Sequence, residues 1–326
     1  MDGRTEIDNR YQKYVENKLA KMPAFMNDYY HAIKDKSMLT INSYLTKDII
    51  FFEFIKKNYN VNIDNPYDFK KVKASAIERF MNESPGETSN KLTYLYAVED
   101  FFKFLEKDDY IEKNPCSKIT PPKNKKEVKR IELSECDIVE IRRNIRNGIE
   151  CKNKMEQFIM YTRNILLFDL FISTGLRKSS VISLNLDDVD FENDQIRVFE
   201  KGHKMRYLPV NKFIINEIRD YLPLRRSILN DNHTECDALF VSNRGLRMGV
   251  STIDHFVRTV TGSIGKEMSP HKLRATCATL LIEKTGDIYL VADRLGHASV
   301  ETTKRYAHLN DDMRKKAVKA MDDIIF

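Results

Sequence analysis

Six side chains in the second half of this 326-residue chain have the types needed to handle a phosphodiester. His271, Arg274, His297 and Tyr306 fall within thirty-six residues, and Arg177 and Lys201 precede them. Two guanidiniums can hydrogen-bond the non-bridging oxygens of one phosphate and stabilise the charge that grows in a pentacoordinate transition state. The phenol of Tyr306 is the nucleophile of the set. Its ordinary pKa is near 10, so it needs a base or a strongly cationic setting before it attacks. His271 can serve as that base. Lys201 can give the proton that a departing 5′ oxygen requires, and His297 can bond the transition-state phosphate. No carboxylate cluster for magnesium and no nucleotide-binding loop accompanies these residues, so the chemistry they suggest uses neither metal, ATP nor another cofactor.

Each residue also has a plainer reading. A lone histidine in a helix is usually solvated or satisfied in a core, and an isolated His-x-x-Arg is a weak motif. A tyrosine at helical spacing is usually packing, an arginine after a glycine turn often caps helix carbonyls, and Lys201 and Lys204 could both be solvated hairpin charges.

The elements that must carry these groups follow from caps, glycine stops and apolar patterning. Ser269-Pro270 is a cap and first-turn pair opening a helix through Glu283, which puts His271 and Arg274 on one face near the helix's positive end. Met155 to Thr174 is a long apolar-rich helix that Gly175 can terminate, leaving Arg177 on a loop. Gln195–Phe199 and Met205–Val210 alternate as two strands of a hairpin whose tip carries Lys201 and Lys204. A helix from about Ile288 to Leu295 stops at Gly296, and Ser299 caps the next, which bears Tyr306. The tail from Met313 to Phe326 has an apolar face of Ala317, Ala320, Met321 and Ile324.

Upstream, the pattern is helical throughout. Ile41, Tyr44, Leu45, Ile49, Phe52 and Ile55 recur at spacings of three and four, as do Leu92 to Leu105, with a shorter helix over Val72–Met81 and another near Tyr11–Lys21. The aromatics there read as core. Pro115, Pro121 and Pro122, followed by Lys123, Lys125, Lys126, Lys129 and Arg130, mark a basic linker that either lies along a phosphate backbone or is a solvated tether. The expected organisation is a helical domain over 1–114 with residues 1–36 as an extension, a linker over 115–131, and a second domain over 132–326 ending in a tail at 313–326. The fold class is mainly α: an all-helical domain, then a mostly helical mixed α/β domain with a small antiparallel hairpin.

Bulk properties agree with an intracellular protein that meets an anion. Charged residues make up 31% and the net charge is +6, which permits nucleic-acid binding without establishing it. Five scattered cysteines without a Cys-x-x-Cys pair read as reduced thiols. The longest apolar run, Ile165 to Ile172, is broken by Asp169 and too short for a membrane span, and the N-terminal residues lack the apolar segment of a signal peptide.

Taken together, the motifs resemble those of the tyrosine recombinases, also called phage integrases. Thr174-Gly175-Leu176-Arg177 is similar to the family's first arginine motif, Val198 to Val210 to its lysine hairpin, Ser269 to Arg274 to its His-x-x-Arg box, and Leu295 to His308 to its histidine-to-tyrosine box. The helical half resembles the family's core-binding domain in its length, in Tyr44 and Phe51-Phe52, and in the Asn114-Pro115 that closes it. One departure is plain: Ser180 stands where the family usually has Glu or Asp supporting the first arginine. The resemblance implies a covalent 3′-phosphotyrosine at Tyr306 and a released 5′-hydroxyl. It implies strand exchange between two duplexes through a Holliday junction by a C-shaped, Xer-like two-domain protein. It further implies double-stranded DNA with paired half-sites as partner and a homotetramer, one dimer per duplex. Any accessory protein is left unspecified, no membrane is involved, and the location is cytoplasmic and nucleoid-associated. Lys123, Lys125, Lys126, Lys129, Arg130 and Lys204 are the further DNA-binding candidates. The stretch before Ser37 looks short for an arm-site domain, which leans towards simple core sites. Two alternatives remain beside this reading: a type IB topoisomerase-like cutter that rejoins the original strand, and a catalytically silent DNA-binding regulator.

Overall fold

A computed structural model describes residues 3–85, 88–121, 132–147, 154–199, 205–296 and Thr303. The chain divides into two compact units, Arg4–Val128 and Lys129–Phe326, the latter grouped with the first three residues.

The first unit is helical: α1 (Gly3–Leu19), α2 (Met26–Ala32), α3 (Met38–Tyr59), α4 (Ala74–Glu83) and α5 (Thr88–Lys107), with single 3-10 turns at Pro66–Lys71 and Pro115–Lys118. Ser37 starts α3 by accepting from the Thr40 amide at 3.2 Å, and Asn60 ends it in the left-handed region. Its buried face is Ile41, Leu45, Asp48, Phe51, Phe52 and Ile55. Tyr44 and Ile49, expected inside, are only partly covered. Phe51 takes the deep position because it meets Phe80 on α4, ring centroids 5.1 Å apart, while Phe52 meets Phe101 on α5 at the same spacing. The aromatic clusters are therefore core, as their spacing predicts. The first helix starts earlier than expected, and Val15, Met26 and Tyr29 are fully buried, so the first thirty-odd residues are part of this core and not an appendage. Likewise the stretch from Pro115 to Ile119 does not begin the linker. Asn114 accepts from the Cys116 amide at 2.8 Å and Cys116 packs into the helical core, because the apolar Cys116 and Ile119 have a surface to cover there.

The second unit contains α6 (Glu135–Asn147), α7 (Lys154–Thr174), α8 (Lys178–Ser183), β1 (Val189–Asp190), β2 (Gln195–Phe199), β3 (Met205–Pro209), α9 (Lys212–Asp231), α10 (Val250–Gly262), α11 (Pro270–Thr285) and α12 (Ile288–Leu295). At its centre, α7 packs against α6, α9 and α11. Leu166, Leu167, Phe168, Leu170 and Phe171 have no exposure, which explains why the run that includes them is apolar all round. The two expected strands form, joined by a third, β1, too short to leave a periodic trace. The sheet is antiparallel in the order β1-β2-β3, with Val198 opposite Arg206 and Phe199 opposite Met205. No described helix is long and apolar enough to cross a membrane. Ser299 and the tail from Met313 to Phe326 lie outside the described residues.

Candidate active site

Of the six residues with matching chemistry, three are described: Arg177, His271 and Arg274. Lys201, His297 and Tyr306 lie outside the described residues, as do Lys123, Lys125, Lys126, Lys129, Arg130 and Lys204.

Two glycine turns bring Arg177 and Arg274 together. Gly175 follows α7 with φ of 61°, and a β-carbon there would sit 2.4 Å from Leu295 Cδ2 and 3.1 Å from Cys277 Sγ. Only glycine gives both the left-handed turn and the close approach to α11 and α12. Gly296 ends α12 in the same conformation, φ 63°, after Asp287 has opened that helix by accepting from the amides of Tyr289 and Leu290. Ala278 and Ile282 of α11 pack against Val291 and Leu295 of α12, which fixes the second turn above the first turns of α11. At the start of α11, Pro270 occupies the first helical position and Ser269 accepts from the Leu273 amide through its backbone carbonyl; its side chain makes no capping bond, unlike the side-chain cap the sequence suggests.

Both guanidiniums reach the Leu295-Gly296 turn. Arg274 is 3% exposed and donates from Nη1 to the Gly175 carbonyl at 2.7 Å and from Nη2 to the Leu295 carbonyl at 2.5 Å. Arg177, half-buried at the N-terminus of α8, donates from Nη2 to the Gly296 carbonyl at 3.3 Å. It does not cap α7, the plainer role for an arginine in that place. His271, one turn before Arg274 on α11, is exposed. Beneath them lies the buried Cys277. Burial pushes its thiol up to about 11, outweighing the pull of Arg294 and Arg274 in the other direction, so it stands as a neutral wall of the site.

Ser180, where an acidic residue was expected from the resemblance, is buried and donates from Oγ to the Phe199 carbonyl at 3.1 Å. Instead of a carboxylate beside Arg177, the chain places a hydroxyl that ties α8 to the end of β2. Sequence reasoning missed several buried or bridging arginines. Arg247 gathers the carbonyls of Ile182 and Leu184 and the Asn185 side chain at 2.6–3.2 Å. Arg294 donates to the carbonyls of Pro209 and Ser173, and Arg206 donates to the Arg294 carbonyl. Their acceptors, all but the Asn185 side chain, are backbone atoms, and all are remote in sequence, so no spacing rule marks them. A separate cluster joins α6, α7 and α9: Arg142 lies 3.3 Å from Asp169 and 3.8 Å from Glu217. Burial, then the neighbouring Asp169 carboxyl, push Glu217 up to about 8, and burial raises Asp169 as well. Among the described residues no group of three or more His, Cys, Asp or Glu is arranged to hold a metal ion.

The chain thus has a helical unit, a mixed unit with a three-stranded sheet, and arginines from two distant motifs meeting at one turn, and the comparisons identify the class of protein. Residues 150–313 match the phage integrase family. The chain is 31% identical over 227 residues to tyrosine recombinase XerC of Pseudomonas savastanoi pv. phaseolicola, covering 69% of this chain and 71% of that one. It is 29% identical over 318 residues to tyrosine recombinase XerC of Caldanaerobacter subterraneus subsp. tengcongensis, covering 90% and 84%. In fold it is similar to the XerH site-specific recombinase bound to a palindromic difH substrate in a post-cleavage complex, with a TM-score of 0.66 at 23% identity over 97% of this chain and 90% of that one. It is also similar in fold to a lambda integrase tetramer bound to a Holliday junction, with a TM-score of 0.62 at 14% identity over 87% and 76%. The chain belongs to the phage integrase family. As such it is a tyrosine-type site-specific recombinase, an enzyme that cuts and rejoins DNA.

Proposed function

We propose that this recombinase cuts each strand with Tyr306, forming a 3′-phosphotyrosine and releasing a 5′-hydroxyl. Arg177, Arg274 and His297 hold the phosphate, His271 accepts the phenolic proton, and Lys201 protonates the departing 5′ oxygen. A 5′-hydroxyl of the partner duplex then gives its proton to Lys201 and attacks the phosphotyrosine, displacing the phenolate, which takes back its proton from His271. One phosphoester bond is exchanged for another, so the cycle needs no ATP, metal or other cofactor. The observation that carries this reading is the convergence of Arg177 and Arg274, which come from different motifs, on the Leu295-Gly296 turn immediately before His297.

Around that site the helical unit, residues 1–114 in sequence terms, binds the core site. The basic residues Lys123, Lys125, Lys126, Lys129 and Arg130 of the 115–131 linker follow the phosphate backbone, with Lys204 contacting DNA beside the hairpin tip. Residues 132–326 form the catalytic domain, and the apolar tail at 313–326 docks within the assembly. Related proteins crystallised on DNA include a tetramer on a Holliday junction, which supports four protomers on two duplexes here, one dimer on each pair of half-sites. The protein works in the cytoplasm, at the nucleoid.

Trapping on a nicked suicide duplex tests the nucleophile. Tyr306→Phe is expected to keep duplex binding and lose all covalent linkage, whereas trapping by that variant would remove Tyr306 from its role. Mixing two labelled duplexes tests strand exchange: joined heterologous strands are expected, and relaxation alone would identify a topoisomerase.

A further inference from the structure

We propose that Arg294 and Arg206 are positioning residues that fasten the β2–β3 hairpin to the turn where the phosphate-holding groups meet. The two arginines bridge β3 and α12 from opposite sides. Arg206 Nη2 donates to the Arg294 carbonyl at 2.7 Å, and Arg294 Nη1 donates to the Pro209 carbonyl, at the end of the strand carrying Arg206, at 3.3 Å. Arg294 Nη2 reaches further, to the Ser173 carbonyl at 3.1 Å, two residues before Gly175. One guanidinium thus ties the last turn of α12 to the end of β3 and to the last turn of α7. Those are the elements that lead into the Gly296 turn, the lysine hairpin and the Arg177 turn.

The sheet register explains how a charged residue comes to serve here. Arg206 sits opposite Val198 and shares the core-facing parity of Leu208, so its side chain leaves the inner face of β3, towards α12. From the other strand, the Phe199 carbonyl accepts from Ser180. Each strand is therefore held close to the connecting residues 200–204, β2 by the segment that follows Arg177 and β3 by the segment that precedes His297. Among the described strands β3 is at the sheet edge and pairs with β2 alone, so these side-chain bonds add to a single ladder in fixing it. Because misplacing a reacting group by about 1 Å costs roughly a hundredfold in rate, such fastening governs proton delivery.

This inference rests on the assignment of Lys201 as the proton donor, and the test separates the two. Arg294→Ala, Arg206→Ala and Lys201→Ala are compared in single-turnover cleavage of a nicked duplex. The scissile phosphate carries either the normal 5′-bridging oxygen or a 5′-bridging sulfur. With sulfur, the P–S bond breaks as the Tyr306 P–O bond forms, and the thiolate leaves with its electron pair without needing a proton. Both arginine variants are expected to lose roughly a hundredfold on the oxygen duplex and to return within about threefold of the unsubstituted protein on the sulfur duplex. Amide hydrogen exchange in β2 and β3 should quicken at least tenfold in both variants while α11 is unchanged. An equal defect on both duplexes, or unaltered exchange in the hairpin, would overturn the positioning role. If sulfur fails to rescue Lys201→Ala, the proton-donor assignment falls instead, and the exchange measurement still decides whether the arginines hold the hairpin. Should Arg294→Ala not fold, Arg206→Ala, which removes the Arg206–Arg294 bond and leaves both Arg294 bonds in place, carries the test alone.

Discussion

Replacing Arg274 by alanine should damage the fold and the reaction, whereas replacing Arg177 should damage the reaction more than the fold. Arg274 is almost fully buried and spends two N–H groups on the carbonyls of Gly175 and Leu295, both in buried residues. Hydrogen bonds from a charged donor contribute about 1.5–3 kcal/mol each, and truncation leaves two acceptors without that partner. Against this stands the cost of keeping a guanidinium out of water, which the alanine variant no longer bears. The net loss is about 3 kcal/mol, which for a unit of this size lowers Tm by roughly 6–12 °C. Arg177 is only half-buried and its bond to the Gly296 carbonyl is longer, 3.3 Å, so its removal should lower Tm by less than that of Arg274. In catalysis the two should look alike, each losing about a hundredfold as an oxyanion donor is removed. Thermal unfolding of both variants, with single-turnover cleavage measured well below the lower Tm, separates the effects. Equal Tm shifts for the two would refute the idea that Arg274 joins the Gly175 turn to the Leu295 turn. Arg274→Lys sharpens the comparison, because it keeps the charge and loses the planar fork.

Three further outcomes follow from the same coordinates. Gly175→Ala should destabilise the second unit by about 2 kcal/mol or more, since it forces a left-handed alanine against Leu295 and Cys277, whereas Gly262→Ala at the open end of α10 should be neutral or slightly stabilising in the same denaturant titration. Glu217 keeps a proton in the folded state that the unfolded chain releases near pH 4.5, so stability at this site falls as pH rises from there through about 8; Glu217→Gln should flatten that decline, and unchanged pH curves would count against a proton shared with Asp169. Maleimide at neutral pH should label the exposed Cys136 rapidly and leave Cys116 and Cys277 untouched until unfolding, because burial lifts their thiols to about 12 and about 11; peptide mass spectrometry that found Cys277 modified in the native protein would contradict its place beneath the arginines.

The kinds and order of the candidate reacting groups could be proposed from the sequence because chemistry constrains residue type. A phenol, cations and imidazoles at fixed separations, punctuated by Gly175, Pro270 and Gly296, state which turns must occur and which elements flank them. Periodicity likewise exposed α3 and α5, since burying one face of a helix imposes its period on the chain, while an apolar run, the Ser269-Pro270 start and the stops at Gly175 and Gly296 marked α7, α11 and α12. What tertiary structure alone decided is where shared space and backbone acceptors matter. Phe51 goes deep because Phe80 meets it, Ser180 bonds the far end of a strand, and Arg206, Arg294 and Arg247 find carbonyls that no local pattern announces. A hydrogen bond to a peptide carbonyl leaves no mark on the residue that supplies it, because every residue has one. Partnerships of that kind become visible only when the chain has folded and brought the two ends of the bond together.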